Sequence, residues 1–268
     1  YQLALSVFAV LVTAPSSGIP LTVSRLITKH RTRGDKKAEH STVTAAIVAV
    51  LVFSVPVFCI LFFGHDLFDF IFSDARCMSL LMILLPALTF NSVYSVIRGA
   101  LWGNKKFVPY CVIDLVEELC MIAMGVFLVS GMTSVFDGAK RIAFAIVFSY
   151  LVSFTLSMIY FFVKGGKLAD PRAQMKPLLA SALPITGMRT SSSLINTVIS
   201  LILPARLIAA GMSSAEAMSG IGVVMGMSMP VLSIPATLIG SLALVMVPEL
   251  AENFFRGEHE KLRDNIER

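Results

Sequence analysis

Residues 177–210 read PLLASALPITGMRTSSSLINTVISLILPARLIAA. As a helix this stretch is long enough to cross a bilayer, because about 20 apolar residues at ~1.5 Å rise span a ~30 Å hydrocarbon core. Arg189 falls roughly 18 Å from its start, near mid-membrane. A charge at that depth is costly and marks a functional position by default. Arg189, Ser192, Ser193, Asn196 and Ser200 recur at helical spacing and share one side of the helix. A helix facing lipid has no use for such a stripe, whereas a helix lining a wet cavity inside a bundle does. The other spans are therefore expected to stand around a cavity walled by 177–210.

The rest of the chain agrees with a membrane setting. Of 268 residues, 56% are hydrophobic, and the mean hydropathy is +0.81, above the range of soluble globular domains. Apolar runs predict seven spans, at roughly 3–23, 42–63, 78–98, 108–131, 141–163, 177–208 and 219–247. The runs are continuous and do not alternate, so the spans read as helices and not barrel strands. The expected fold class is an all-α polytopic membrane protein with seven transmembrane helices. Basic residues collect in alternate loops: Arg25 to Lys37 in 24–40, then Arg98, Lys105 and Lys106, then 164–176, then the tail 249–268. The opposite loops hold only Arg76, Lys140 and Arg141. This asymmetry predicts that the basic loops are cytoplasmic and that the first span enters from outside. It also accounts for the net charge of +5 without nucleic acid, for which no aromatic–basic platform is present.

Several side chains stand out against this background. Arg98 ends the third span, where it either snorkels to the interface or serves the cavity. Asp114, Glu117 and Glu118 lie one to three turns inside the fourth span. Carboxylates so placed raise one another's pKa unless cations pair with them, and Arg25 and Arg98 are at a suitable depth. The cluster reads as an ion-pair gate or as a site coupling transport to protons or sodium. The outer loop 64–76 carries Asp66 and Asp69 among Phe68, Phe70 and Phe72, which reads as an interfacial turn; a membrane glycosyltransferase would instead use such acids at its active site. The four cysteines lack metal or redox spacing, and no metal or cofactor site is expected. No P-loop, HExxH or GxSxG occurs.

Segment 164–176, with two glycines, a proline and four basic residues, is the expected internal boundary. Pro230 and Pro235 should bend the last span, and Leu250, Phe254, Leu262 and Ile266 suggest an amphipathic helix on the inner surface beyond it. A chain starting at Tyr1 in an apolar run and ending in charged residues reads as part of a longer one.

GIPLTVSRLITKHRTRGDKKAE (18–39), VIRGALWGNKKFVPYCVIDLVEEL (96–119), ALPITGMRTSSSLINTVISLILPARLIAAGMS (182–213) and MPVLSIPATLIGSLALVMVPELAE (229–252) together resemble the polysaccharide transporter family, in its stage V sporulation protein B-like branch. That family belongs to the superfamily of multidrug-and-toxin-extrusion transporters and lipid II flippases. The resemblance implies a two-lobed transporter of about fourteen spans working by alternating access. Residues 1–163 would be most of the first lobe, 164–176 a cytoplasmic linker, and 177–268 the start of the second. It also implies a bacterial cytoplasmic-membrane protein that is not an enzyme. Its cargo would be a polyprenyl-diphosphate-linked oligosaccharide or related glycolipid for envelope or spore-wall assembly. Arginine forms charge-assisted bonds to phosphate. Arg189, Ser192, Ser193 and Asn196 are thus candidate cargo contacts, with Arg25 and Arg98 at the entrance. A cation-coupled drug exporter, a glycosyltransferase and a non-transporting scaffold are the competing expectations.

Overall fold

Every apolar run described becomes helix in this computed structural model, which describes residues 2–64, 75–130 and 135–256. Among those residues there is no strand. The helices are α1 (Gln2–Ser16), α2 (Gly18–Thr32), α3 (Lys36–Phe63), α4 (Ala75–Gly103), α5 (Phe107–Val129), α6 (Val135–Val163), α7 (Arg172–Ala209), α8 (Ser214–Val223), α9 (Met229–Leu232) and α10 (Ile234–Arg256), with a π-helical turn at Val224–Ser228. Five stretches are long and apolar enough to cross a membrane: Ala4–Thr32, Lys36–Phe63, Cys77–Gly103, Phe136–Val163 and Arg172–Ala209. The pair Ser219–Leu232 and Ile234–Leu242, bent by 46°, makes a sixth. The seventh expected span is α5, whose apolar run is interrupted by Asp114, Glu117 and Glu118.

Two boundaries differ from the sequence expectation. The first span does not stop at 23: α2 runs on to Thr32, and the expected loop 24–40 shrinks to a tight turn at 33–35. Asp35 caps α3 by accepting from the Ala38 N–H at 3.0 Å. At the other end α10 continues without a break to Arg256, so 249–256 extends the span and does not form a separate surface helix. Of the bends expected from Pro230 and Pro235, the 46° bend falls at Ser233, next to Pro235, while Pro230 follows the π-helical turn; proline removes a backbone donor at such places. Asp66, Asp69 and their aromatic neighbours lie outside the described residues.

The hub is α4. Its membrane-spanning window is 72% buried, against 12% for α7. At the basic end, Ile97 and Val96 of α4 pack with Val23 and Ile27 of α2, Ala46 and Val50 of α3, and Leu178 of α7. At the other end, Leu81, Leu84 and Leu88 of α4 meet Phe8 of α1 and Ala143 of α6. Helices α2 and α4 touch backbone to backbone: a Cβ on Gly99 would stand 2.5 Å from the Pro20 carbonyl oxygen, and one on Gly103 2.6 Å from that of Ser24. In hydrocarbon, such small-residue contacts replace the hydrophobic drive that water would supply. Thr28 adds a polar link, its hydroxyl within 2.9 Å of the Ser24 carbonyl and 3.2 Å of the Gly103 carbonyl.

Helix α7 lies against α1, α2 and α3, while α10 reaches α2 and the end of α4. Residues of α9 and α10 such as Leu232, Leu238 and Ile239 remain exposed, as an apolar surface facing lipid or further helices would be.

Candidate functional site: a polar cavity at the seam of α1 and α7

The polar stripe of α7 faces a cavity of about 450 Å3, lined by Arg189, Ser192, Ser193 and Asn196 from α7 and by Thr13, Ser16 and Ser17 from the end of α1. All seven lining residues are polar, and the only charge among them is Arg189. The helix break explains half of this wall. Pro15 and the Ser16-Ser17-Gly18 run end α1, and Ser17 N–H still bonds to the Thr13 carbonyl at 3.1 Å. Thr13 satisfies its hydroxyl on Ala9 O at 2.6 Å, and Ser16 does so on Val12 O. The Ser17 hydroxyl is buried and has no protein partner, so the cavity presents an unspent hydrogen-bonding group. Thr197, one turn beyond Ser193, is buried and donates to the Ser6 carbonyl at 2.9 Å, clamping α7 onto α1.

Arg189 is exposed to this space, and among the described residues no carboxylate pairs with it. An unpaired guanidinium in a polar recess is a receptor for an oxyanion, with forked donors matched to phosphate or carboxylate. Sequence periodicity finds the α7 half of the cavity. It does not find Thr13, Ser16 and Ser17, because helical spacing says nothing of which neighbour a stripe will face. Their only signal was a polar run, TAPSSG, inside an apolar span.

The other singled-out residues separate into two places. Arg25 is exposed beside a smaller cavity of about 320 Å3, shared by Leu21 and Thr22 of α2, Ser181 and Ile185 of α7, and Leu250 and Ala251 of α10. It lies on the same α2–α7 side as Arg189 but in a distinct recess. Arg98 joins the carboxylates. Its guanidinium carbon sits 5.5 Å from the Tyr94 and Trp102 ring centroids, a cation–π arrangement worth more where water is excluded. The Tyr94 hydroxyl donates to Asp114 Oδ1. Glu117 faces Ser153 of α6, and its Oε2, like Arg98 Nε, is buried without a hydrogen-bond partner. Glu118 is exposed. The result is an internal charge cluster between α4, α5 and α6, away from the α1–α7 cavity.

A third charged contact closes the basic end. Glu252 of α10 accepts from Arg31 Nη2 at 3.1 Å and from Lys105 Nζ at 2.6 Å. Its side chain is only 15% exposed, so solvent screens this clamp less than a surface pair. Lys105 adopts φ 56°, the one left-handed non-glycine residue among those described; such a backbone costs about 1–3 kcal/mol and persists where its surroundings hold it.

Five apolar helices long enough to cross a membrane, a sixth bent pair and the charge-interrupted α5 make the described residues an all-helical polytopic membrane protein. The fold matches that of a multidrug resistance MATE family transporter of the MOP superfamily. Its outward-facing conformation aligns with TM-score 0.72 at 18% identity over 98% of this chain and 58% of that one. Its inward-facing conformation aligns with 0.64 at 19% identity over 93% and 60%. The profile of the family described as "Polysaccharide biosynthesis protein" matches residues 1–254, and the chain belongs to that family. Two Bacillus subtilis (strain 168) relatives are Stage V sporulation protein B, 24% identical over 98% of this chain and 52% of its own length, and Lipid II flippase MurJ, 21% identical over 99% and 54%. The chain thus spans about half the length of these curated relatives.

Proposed function

We propose that the full-length protein flips a polyprenyl-diphosphate-linked oligosaccharide, or a related anionic glycolipid, across the bacterial cytoplasmic membrane by alternating access. The pathway served is envelope or spore-wall polysaccharide assembly. The observation that carries this reading is the polar cavity between α1 and α7, with Arg189 as its only charge. Arg189 holds the diphosphate, while Ser192, Ser193 and Asn196 meet the sugar or water. Arg25, in the neighbouring recess, receives the headgroup at the cytoplasmic mouth. Residues 1–163 act as most of one lobe and 177–268 as the start of the other, with the basic loops cytoplasmic. The relatives' names and the charge of the cavity both favour an anionic cargo over a cationic drug, and favour movement of a lipid over its chemical modification.

The cluster of Asp114, Glu117 and Glu118 serves coupling to a proton or sodium ion, or gating. Arg98 belongs to this machinery by its position against Tyr94 and Trp102, and not to the cargo path. Reconstitution of the full-length protein tests the proposal. Arg189→Ala should reduce translocation of the lipid-linked sugar by about tenfold or more, with Arg189→Lys between it and wild type, since lysine keeps the charge but loses the bidentate fork. Normal translocation by both variants would remove Arg189 from the cargo path.

A further inference from the structure

We propose a second anion site at the basic end, separate from both the α1–α7 cavity and the Arg25 recess, that takes a doubly charged phosphate ester. A cavity of about 280 Å3 opens there between α2, α3, α4 and the end of α6. Its rim carries three lysines from three separate segments: Lys36 at the start of α3, Lys106 in the α4–α5 turn and Lys164 just past α6. One carboxylate, Glu39, shares the lining; three positive charges against one negative leave two positive. The floor is apolar, with Ile27, Val43 and Leu101 among its residues.

Lysines are common at the basic end of any membrane protein, so the decisive feature is the rigid wall. Segment 165–171 folds back on α3. There the Lys167 N–H donates to His40 Nδ1 at 3.4 Å, the Ala169 N–H to Thr44 Oγ1 at 3.0 Å, and Ser41 Oγ to the Asp170 carbonyl at 2.5 Å. Gly165 permits the reversal with φ 82°. Gly166 has no room for a side chain, since a Cβ would stand 2.6 Å from the Phe161 carbonyl oxygen. His40, tied to the folded-back segment in this way, also lines the cavity. Three ammonium groups border a space with an apolar base. That combination suits a phosphate headgroup attached to a short carbon skeleton.

The same chemistry can arrive from two sources. Lys164 follows Val163 and Lys106 lies two residues before Val108, and both valines are 75% exposed. The site therefore borders the apolar belt and is within reach of an anionic lipid headgroup, yet it also opens to solvent for a soluble phosphate ester. The test uses the full-length protein in uncharged detergent, with native mass spectrometry or calorimetry reading the binding of short-chain phosphatidic acid in one arm and inorganic phosphate in the other. Wild type should bind saturably in at least one arm. Lys106→Gln/Lys164→Gln should weaken that binding about tenfold or more, Lys106→Arg/Lys164→Arg should retain it, and Lys29→Gln/Lys37→Gln, of equal charge loss outside the cavity, should leave it nearly unchanged. Lysine-dependent binding of phosphatidic acid alone identifies a lipid site, and of phosphate a soluble-ligand site. No saturable binding in either arm, or equal loss in the Lys29/Lys37 control, overturns the proposal.

Discussion

Tyr94 shows what single polar groups contribute inside this bundle. It is 1% exposed and donates its hydroxyl to Asp114. A bond to a charged acceptor buried in low dielectric contributes more than a neutral one at the surface, about 1.5–3 kcal/mol. Tyr94→Phe should therefore lower the stability of the full-length protein by about that amount, read as a fall in denaturation midpoint, and a null effect would mean that the carboxylate is satisfied without it. Glu216 offers a contrast on the exposed rim. It completes a capping box with Ser213: the Ser213 N–H donates to Oε2 at 3.1 Å and the hydroxyl at 2.7 Å, while the Glu216 N–H donates back to Oγ at 3.2 Å. Those bonds favour the carboxylate and hold its pKa below the ordinary 4.5. A depressed acid stabilises the fold above its unfolded value and loses that contribution as pH falls through the folded value. Amides 213–217 should thus keep their hydrogen-exchange protection at pH 6 and lose part of it as the solution is acidified below 4.5. Glu216→Gln should remove the pH dependence.

At the scale of elements, packing is governed by where glycine allows helices to meet. Gly99 and Gly103 place α4 against the backbone of α2, and Gly103→Ala should force the pair apart at a cost of about 1–3 kcal/mol, measurable as a lower melting temperature. Helix type and number were legible from hydropathy, because a lipid setting leaves the continuous apolar run few alternatives. Ends were less so. The apolar run of the first span stops near 23, but α2 continues to Thr32 because Leu26, Ile27 and His30 turn inward and bury against the bundle; tertiary contact, not hydropathy, sets that boundary. The α7 half of the cavity was legible because its members share one helix and one face. The α1 half was not, and neither was the separation of Arg98 from Arg25, since both depend on which helices become neighbours. The three hydrogen bonds that fix 165–171 on α3 were equally hidden, each joining residues more than a hundred positions apart.

At the scale of the whole molecule, charge organises the basic end and the mid-bundle cavity differently. The basic end is tied by Glu252 to Arg31 and Lys105, linking α10 to α2 and to the α4–α5 turn, whereas the cavity holding Arg189 retains an unpaired cation. Under the alternating access proposed above, such a clamp breaks and re-forms, so its strength biases the population of states. Glu252→Gln should favour opening at the basic end. Ser181→Cys, beside Arg25, would then react several-fold faster with a water-soluble maleimide than in the parent, as expected when roughly 1 kcal/mol of bias is removed. The central claim, that Arg189 recognises an anionic headgroup, is tested most directly at the cavity itself. In the full-length protein carrying Asn196→Cys, a polyprenyl-diphosphate-linked sugar should protect the new thiol from maleimide. The corresponding uncharged polyprenol should not, and adding Arg189→Ala should abolish the protection. Equal protection by the uncharged lipid, or protection that survives the loss of Arg189, would contradict the account.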